Sequence, residues 1–365
     1  MDFLNNQGDN TMSDTKYSML GRAVDYNSIE SLDSFHTLTQ NTGSISKAAS
    51  NNMFGLNHQA VKGIIPENRD SYGLAFFTRP QLNMSAQNIR NIRKMYSLLT
   101  TKDNTVHRYV RCLLDPRLKY NNIISSLLDN QMPFMPILTN NITNMSGWPD
   151  VVMPTYASKE GLRGEQYFQA DGHSDIYGTF DIDCTFKNTK DEPIILMLQT
   201  WLMYMGAVFE GTMSPYLDFI TENEIDYNTR IYRLVLDESK HIVKKIAATG
   251  ASIPVNVPVG KFFDFTDATK YNDQTKEVNV RFTSVGAMYN DDILIKEFNE
   301  TVAIFNHDVR LMLSGLPHSL EKIPPTLISL FNNRGYPVIN TETLELEWWI
   351  NKNSLTYKKI ISSLI

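Results

Sequence analysis

Between residues 178 and 283, three segments alternate apolar and polar side chains with a period of two, which suits half-buried antiparallel strands. Gly178–Phe186 places Phe180, Ile182, Cys184 and Phe186 on one face and Thr179, Asp181, Asp183 and Thr185 on the other. Arg230–Leu236 and Lys276–Thr283 alternate in the same way. Asp237-Glu-Ser-Lys240 reads as a hairpin turn into a run over His241–Ala248, and Gly250, Pro254 and Pro258 read as breaks after it. Ile194–Phe209 changes period: Leu198, Trp201, Met205 and Val208 share a helical stripe, with Leu202 and Phe209 beside it. Such a helix is expected to be buried on most sides. Ile293–Leu313 predicts a further helix, with Leu294, Phe298, Val302 and Phe305 on one face, and Leu344–Ile350 predicts a strand near an exposed edge.

Upstream, Tyr72–Thr78 is aromatic and β-prone and is stopped by Arg79-Pro80. Ser85 is a helix-capping residue, and the spacing after it predicts one helix to Leu99 with Ile89, Ile92, Met95 or Tyr96, and Leu99 facing inward. Helical turns are expected around Val106–Leu114 and Leu118–Leu128. Two prolines within Gln131–Leu138 rule out a regular helix there, leaving a packed apolar connector. Residues 1–70 carry isolated apolar side chains among Asn, Ser, Asp, Thr and Gln, with neither period sustained. They read as an extended arm that gains order on another surface, with simple disorder the alternative for the first ~15 residues. The expected organisation is an arm over 1–70, a strand with helical elaboration over 71–157, a β core over 158–299, and a helix and hairpin over 300–365.

Composition narrows the function. The 34 basic and 40 acidic residues leave a net charge of −6, with no long Lys/Arg block of the kind that wraps nucleic acid. Charged residues are only 20% of the 365, so polarity comes from amides and hydroxyls, which suits large protein contact surfaces. Two cysteines, Cys112 and Cys184, provide no disulfide framework and no thiolate cage, and two reduced buried thiols in a reducing cytoplasm are expected. Met1–Asn10 lacks the basic and apolar parts of a signal peptide, and Ile194–Phe209 is shorter than the ~20 residues needed to span a bilayer. A soluble chain is the expectation.

Catalytic patterns are sparse. Gly260-Lys261 is followed by Phe262, so it is no P-loop, and there is no nucleophile elbow, His-Glu-x-x-His helix or EF-hand loop. Asp171-Gly-His173-Ser-Asp175, with Asp181 and Asp183 downstream, has the oxygen and nitrogen ligands of a divalent-metal hydrolase. The same residues also make an Asx-rich turn entering a strand. Neither a metal nor a cofactor nor any catalytic residue is assigned on this pattern. Arg79, Arg90, Arg93, Lys94, Arg108 and Arg111 concentrate positive charge, as a phosphate-facing surface or as a solvated face paired with acidic neighbours. Sixteen methionines and the Trp201/Tyr204/Met205 stripe suit either core filling or a pliable binding surface.

The order of parts carries more information than any one motif. A strand at Thr179–Phe186 precedes a helix built around Trp201-Leu-Met-Tyr204, and Ile225–Asp237, a Thr249-Gly-Ala-Ser-Ile-Pro254 break, a Val278–Thr283 strand and Ile293–Asn299 follow. This order resembles the tail-tube proteins of contractile-tailed bacteriophages, and Phe76-Phe-Thr-Arg-Pro-Gln-Leu-Asn83 resembles a stretch in virion structural proteins of giant (jumbo) phages. The resemblance implies an α+β fold: an antiparallel β-sandwich or barrel core of tail-tube type with a flanking helix, here with a helical insertion and extended N-terminal and C-terminal additions. It implies a non-enzymatic virion protein, assembled in the host cytoplasm and not in a membrane. Its partners would be itself, in hexameric rings stacked head-to-tail, and other tail proteins such as sheath or baseplate. Genomic DNA would pass through without specific binding. The additions also suit a baseplate component or a tail-terminator or adaptor that reuses the tube fold.

Overall fold

In the computed structural model, the described residues are 72–362 except 175, 265–266, 268–274, 329, 332–333, 355–356, 359 and 361, together with two short paired strands, β1 (Tyr17–Met19) and β2 (Arg22–Val24). The arm expected over 1–70 otherwise lies outside the described residues.

The alternating segments become strands of one sheet. In chain order its members are β3 (Tyr72–Phe77), β4 (Ile142–Ser146), β7 (Ile176–Lys187), β8 (Ile231–Leu236), β9 (Val243–Pro254) and β10 (Glu277–Tyr289). A separate two-stranded hairpin, β5 (Thr155–Ala157) with β6 (Phe168–Ala170), lies between β4 and β7 in sequence. The six-stranded sheet has the order β3-β8-β9-β10-β7-β4, antiparallel throughout. It is curled. Phe77 on β3 has its ring centroid 5.8 Å from Phe186 on β7 and 5.6 Å from Phe282 on β10, although β8 and β9 intervene in the strand order. The segment from Met135 to Asn141 spans the gap: Met135 N donates to Phe77 O (2.8 Å) and Lys187 N donates to Asn141 O (2.7 Å). The result is a nearly closed antiparallel barrel with little free strand edge.

The helices fill and cap this barrel. They are α1 (Ala86–Ile89), α2 (Val106–Leu114), α3 (Pro136–Thr139), α4 (Pro193–Phe209), α5 (Leu217–Glu222), α6 (Asp292–Phe305) and α7 (His307–Leu313). One core joins the inner face of the sheet (Phe77, Ile182, Cys184, Phe186, Val280, Phe282) to α2 and to Leu198, Trp201 and Tyr204 of α4. A second core covers the outer face of β3, β8 and β9. There Phe76, Tyr232, Leu234 and Ile246 meet Leu294, Phe298 and Val302 of α6 and a small sheet of β11 (Leu320–Lys322), β12 (Tyr336–Ile339) and β13 (Leu346–Asn351). Phe76, Phe134, Tyr232 and Phe298 form an aromatic cluster at its centre, with ring centroids 4.9–6.4 Å apart.

Several expectations need correction. Ser85 does cap a helix, accepting from Asn88 N, but α1 stops at Ile89 and Arg93–Leu99 is a separate 3-10 helix, because Ile92 is extended (φ −123°, ψ 106°). Leu118–Leu128 contains only the end of a 3-10 turn, Pro116–Asn121. Gly250 is no break. β9 runs through it to Pro254, and a Cβ there would lie 2.8 Å from Val285 O, so glycine permits the close pass beside β10. The β10–β7 register slips between Val285 and Ala287, where Gly286 takes φ +65°. The helix expected over Ile293–Leu313 divides at Asn306, whose Oδ1 accepts from Asp308 N and Val309 N to start α7. Leu344–Ile350 is not near an edge: β13 is the middle strand of its sheet. Phe209 ends α4 with 94% of its surface exposed, so that end of the helix is uncovered.

Candidate assembly surface

The two halves of the curled sheet have different outer faces. On β3-β8-β9 the outer face is core. On β10-β7 it carries a cross-strand polar ladder that pairs Lys187 with Glu277, Thr185 with Asn279, Asp183 with Arg281, and Asp181 with Thr283. Arg281 Nε donates to Asp183 Oδ1 at 2.9 Å, Thr283 Oγ1 donates to Asp181 Oδ1 at 2.6 Å, and Arg281 Nη1 lies 3.9 Å from Asp181 Oδ2. These contacts hold the Arg281 guanidinium above its ordinary range, chiefly through the Asp183 hydrogen bond. A groove of about 470 Å³ runs beside the ladder, lined by Asp183, Thr185, Val255, Asn256, Asn279 and Arg281 among others. Val255 N donates to Arg281 O (3.0 Å), and Arg281 N donates to Asn256 Oδ1 (2.6 Å), extending the pairing past the end of β9.

A second exposed feature projects at the base of the same half. From Asp150 to His173 every residue except Ser158 is exposed, including Val151, Val152, Met153, Tyr156, Leu162, Tyr167 and Phe168. The β5–β6 pairing and the bonds Ser158 N to Tyr167 O (2.7 Å) and Asp171 N to Pro154 O (2.8 Å) give this arm its hairpin form. Its root is fixed. Trp148 lies 6.4 Å from Phe180 and 6.0 Å from Tyr289 by ring centroids, and the Tyr289 hydroxyl donates to Pro149 O at 2.6 Å. A run of exposed apolar side chains this long is unusual on a subunit that stays alone. Leu217 and Ile220 on α5, like Phe209 at the end of α4, are further exposed apolar side chains on the helical elements.

The catalytic-looking cluster falls partly on this arm. Asp171 and His173 are exposed at its root, Asp175 lies outside the described residues, and Asp181 and Asp183 are engaged by Thr283 and Arg281. Among the described residues no group of three His, Cys, Asp or Glu side chains is placed to hold a metal ion. Cys112 and Cys184 are both buried free thiols, and burial pushes the Cys184 thiol up to about 12.

The basic segment divides in a way that neither reading of it anticipated. Arg79 is 4% exposed and Arg111 2%. Arg79 donates to Leu113 O (2.9 Å) and Cys112 O (2.6 Å) in the last turn of α2, where a cation is favoured, and to Met132 O (3.2 Å) on the connector. Burial lowers its pKa to about 10, which leaves it charged. Arg111 Nε donates to Met84 O at 3.0 Å. Arg90, Arg93 and Lys94 stay exposed.

Between these layers lies a buried polar joint. Asp115, 1% exposed, accepts from Met84 N (2.9 Å), Arg117 N (3.0 Å) and the Tyr216 hydroxyl (2.8 Å). Burial still pushes its carboxyl up to about 6. Tyr204 of α4 donates to buried Asp226, and Arg117 ties Gln81 to Asp218 while lying over the rings of Tyr216 and Phe219. The joint fixes the helical layer to the mouth of the barrel and offers no accessible nucleophile. The features that sequence reasoning missed are the arm and the exposed end of α4. Gly161, Gly164 and Gly172 around unpaired aromatics were the available signal for the arm.

Comparison with known proteins adds a family. The family model described as "Putative phage tail tube protein" matches residues 13–363. No curated protein matches the chain. Among solved structures, the tube-terminating cap of the anti-feeding prophage is 12% identical, with 43% of this chain and 81% of that one covered, at a TM-score of 0.27. The sheath/tube terminator of PVC, an extracellular contractile injection system, in its extended state is 9% identical, with 43% and 86% covered, at 0.25. The sheath-tube complex of PVC in the extended state is 9% identical, with 43% and 82% covered, at 0.25. Scores this low carry no structural argument.

Proposed function

The chain belongs to this family of phage tail tube proteins, and from that premise we propose that it is a structural subunit of a phage tail whose copies form stacked, hexameric rings around a DNA conduit. The family match across 13–363 carries this reading. The surface agrees with it: a nearly closed barrel with one outer face covered within the chain and the other polar and uncovered, beside an exposed apolar hairpin. Copies that join head-to-tail through two different patches form rings if the rotation closes and filaments if it does not. In the polar β10-β7 ladder Arg281 is paired with Asp183 and Asp181, so this part of the surface meets solvent or passing nucleic acid without strong attraction. Other tail proteins, sheath or baseplate, are the expected neighbours, and the role is architectural rather than enzymatic. Among the described residues no helix is long and apolar enough to cross a membrane.

The second reading is a baseplate, terminator or adaptor ring that uses the same barrel. It is favoured by the additions around the barrel: the helical layer over 86–121 and the small sheet of β11, β12 and β13. Copy number separates the two. Quantitative mass spectrometry of purified particles should find a tube subunit at a copy number comparable to the sheath, and a terminal ring at a small fixed number. Absence from particles, with purified protein that stays monomeric, defeats both.

A further inference from the structure

We propose that the acidic arm, Asp150–His173, of one copy docks on the cationic surface formed by Arg90, Arg93 and Lys94 of the next copy. The proposal rests on the tube reading and names the partner surface that reading leaves open. Three observations carry it.

The first is charge. The arm has four carboxylates, Asp150, Glu160, Glu165 and Asp171, against two cations, Lys159 and Arg163. The segment from Arg79 to Lys102 contains no Asp or Glu. Of its basic side chains Arg79 is consumed inside the fold, whereas Arg90, Arg93 and Lys94 are exposed and make no ion pair with any described residue. Opposite patches of this kind set the register of an interface and steer its formation.

The second is rigidity on both sides. The arm is held at its root by Trp148, Phe180 and Tyr289. The cationic segment is tied to the end of α4, where Asn91 Nδ2 donates to Thr212 O (3.0 Å) and Asn88 Nδ2 donates to Ser214 O (2.9 Å). Surfaces fixed before contact lose less entropy on docking.

The third is placement along the ladder. The arm leaves where β7 begins and β10 ends. The chain beyond β3 runs the other way: after Thr78 N bonds Arg230 O, Gln81 N bonds Asp226 O, and Thr229 lies opposite Ser252 on β9. That register brings Asp226 level with Val255, which bonds Arg281 opposite Asp183, well along β7 from the arm. Asn83 N donates to the Tyr204 hydroxyl that binds Asp226, and Asn88 Nδ2 donates to Asn83 O. The segment carrying Arg90 therefore starts beside Asp226, displaced along the strands from the arm as a head-to-tail contact requires.

The test is a charge swap in the full chain. Arg93→Glu with Lys94→Glu, and separately Glu160→Lys with Asp171→Lys, should each raise the protein concentration needed for assembly at least tenfold, read by analytical ultracentrifugation and negative-stain microscopy. All four side chains are exposed, so the melting temperature of the unassembled protein should not move. Combining the four changes should restore assembly most of the way to wild type. A combined variant no better than its worse parent overturns the proposal, as does assembly indifferent to either reversal. If reversal at Arg93 and Lys94 abolishes binding of a labelled DNA duplex while assembly is untouched, the cationic surface serves phosphate and the proposal fails. Wild-type protein that never assembles, alone or on particles, removes the tube reading itself, a result distinct from a failed swap.

Discussion

The two halves of the barrel sheet have similar strands and opposite fates. β3-β8-β9 has an apolar outer face that the chain itself covers, with Phe76, Tyr232 and Leu234 turned outward under α6 and the small C-terminal sheet. β10-β7 is apolar inside only, and its outer face is a ladder of Asp, Arg, Thr, Lys and Glu. One half is finished within the chain, and the other is left for solvent or a neighbour. The difference teaches where stability and where assembly should reside. Changes on the covered half should act on the monomer, and changes on the open half should act on the oligomer.

The largest expected effect is on the covered half. Phe298→Ala removes the ring at the centre of the aromatic cluster and should destabilise the monomer by about 3–5 kcal/mol in denaturant titration. A loss under about 1 kcal/mol would mean the C-terminal layer is not bound as the comparison requires. Next is Asn299, whose side chain takes the place of a strand against β12: Nδ2 donates to Ile339 O (2.7 Å) and Oδ1 accepts from Ile339 N (2.8 Å). Asn299→Ala leaves both backbone groups buried and unpaired, a cost of about 2–3 kcal/mol, and amide exchange at Ile339 should quicken.

Acidity probes the buried joint. The folded-state pKa of Asp115, about 6, lies above its ordinary 3.8, so the folded state binds the extra proton first. Stability from this group is therefore lowest above pH 6 and rises as pH falls from 6 towards 4, by on the order of 2–3 kcal/mol. Asp115→Asn should flatten that part of the melting-temperature profile; an unchanged slope would place the titration elsewhere. The smallest effect on the monomer belongs to the open half. Arg281→Ala breaks only exposed pairs with Asp183 and Asp181, so the melting temperature should not change while assembly weakens. A large drop in melting temperature would show that the ladder is structural and blur the contrast between the halves.

Much of the covered and open pattern was legible in the sequence. Phe180, Ile182, Cys184 and Phe186 turn inward as the alternation predicts, with Phe180 only partly buried, and α4 spans Pro193–Phe209. What was not legible depends on contacts distant in sequence. Thr249-Gly-Ala-Ser reads as a break because hydroxyls and glycine favour turns, yet Thr249, Ser252 and Ser284 satisfy one another inside the sheet (2.7–2.8 Å) and hold β9 extended. Arg79 reads as a surface cation because nothing local announces that α2 will end its carbonyls beside it. Phe209 reads as core because periodicity cannot tell a covered helix end from an uncovered one. The arm went unseen because its apolar residues have no period and stay exposed among the described residues. Exposed apolar residues are where a single sequence is least informative, since periodicity records only packing within the chain.

The most direct test of the central claim is cryo-electron microscopy of the protein assembled from purified subunits or in intact particles. The account predicts a hollow tube of stacked rings in which the β10-β7 face and the Asp150–His173 arm meet the lumen or a neighbouring copy. A chain located outside the tube, or a tube in which that face and arm both stand free in solvent, would contradict it.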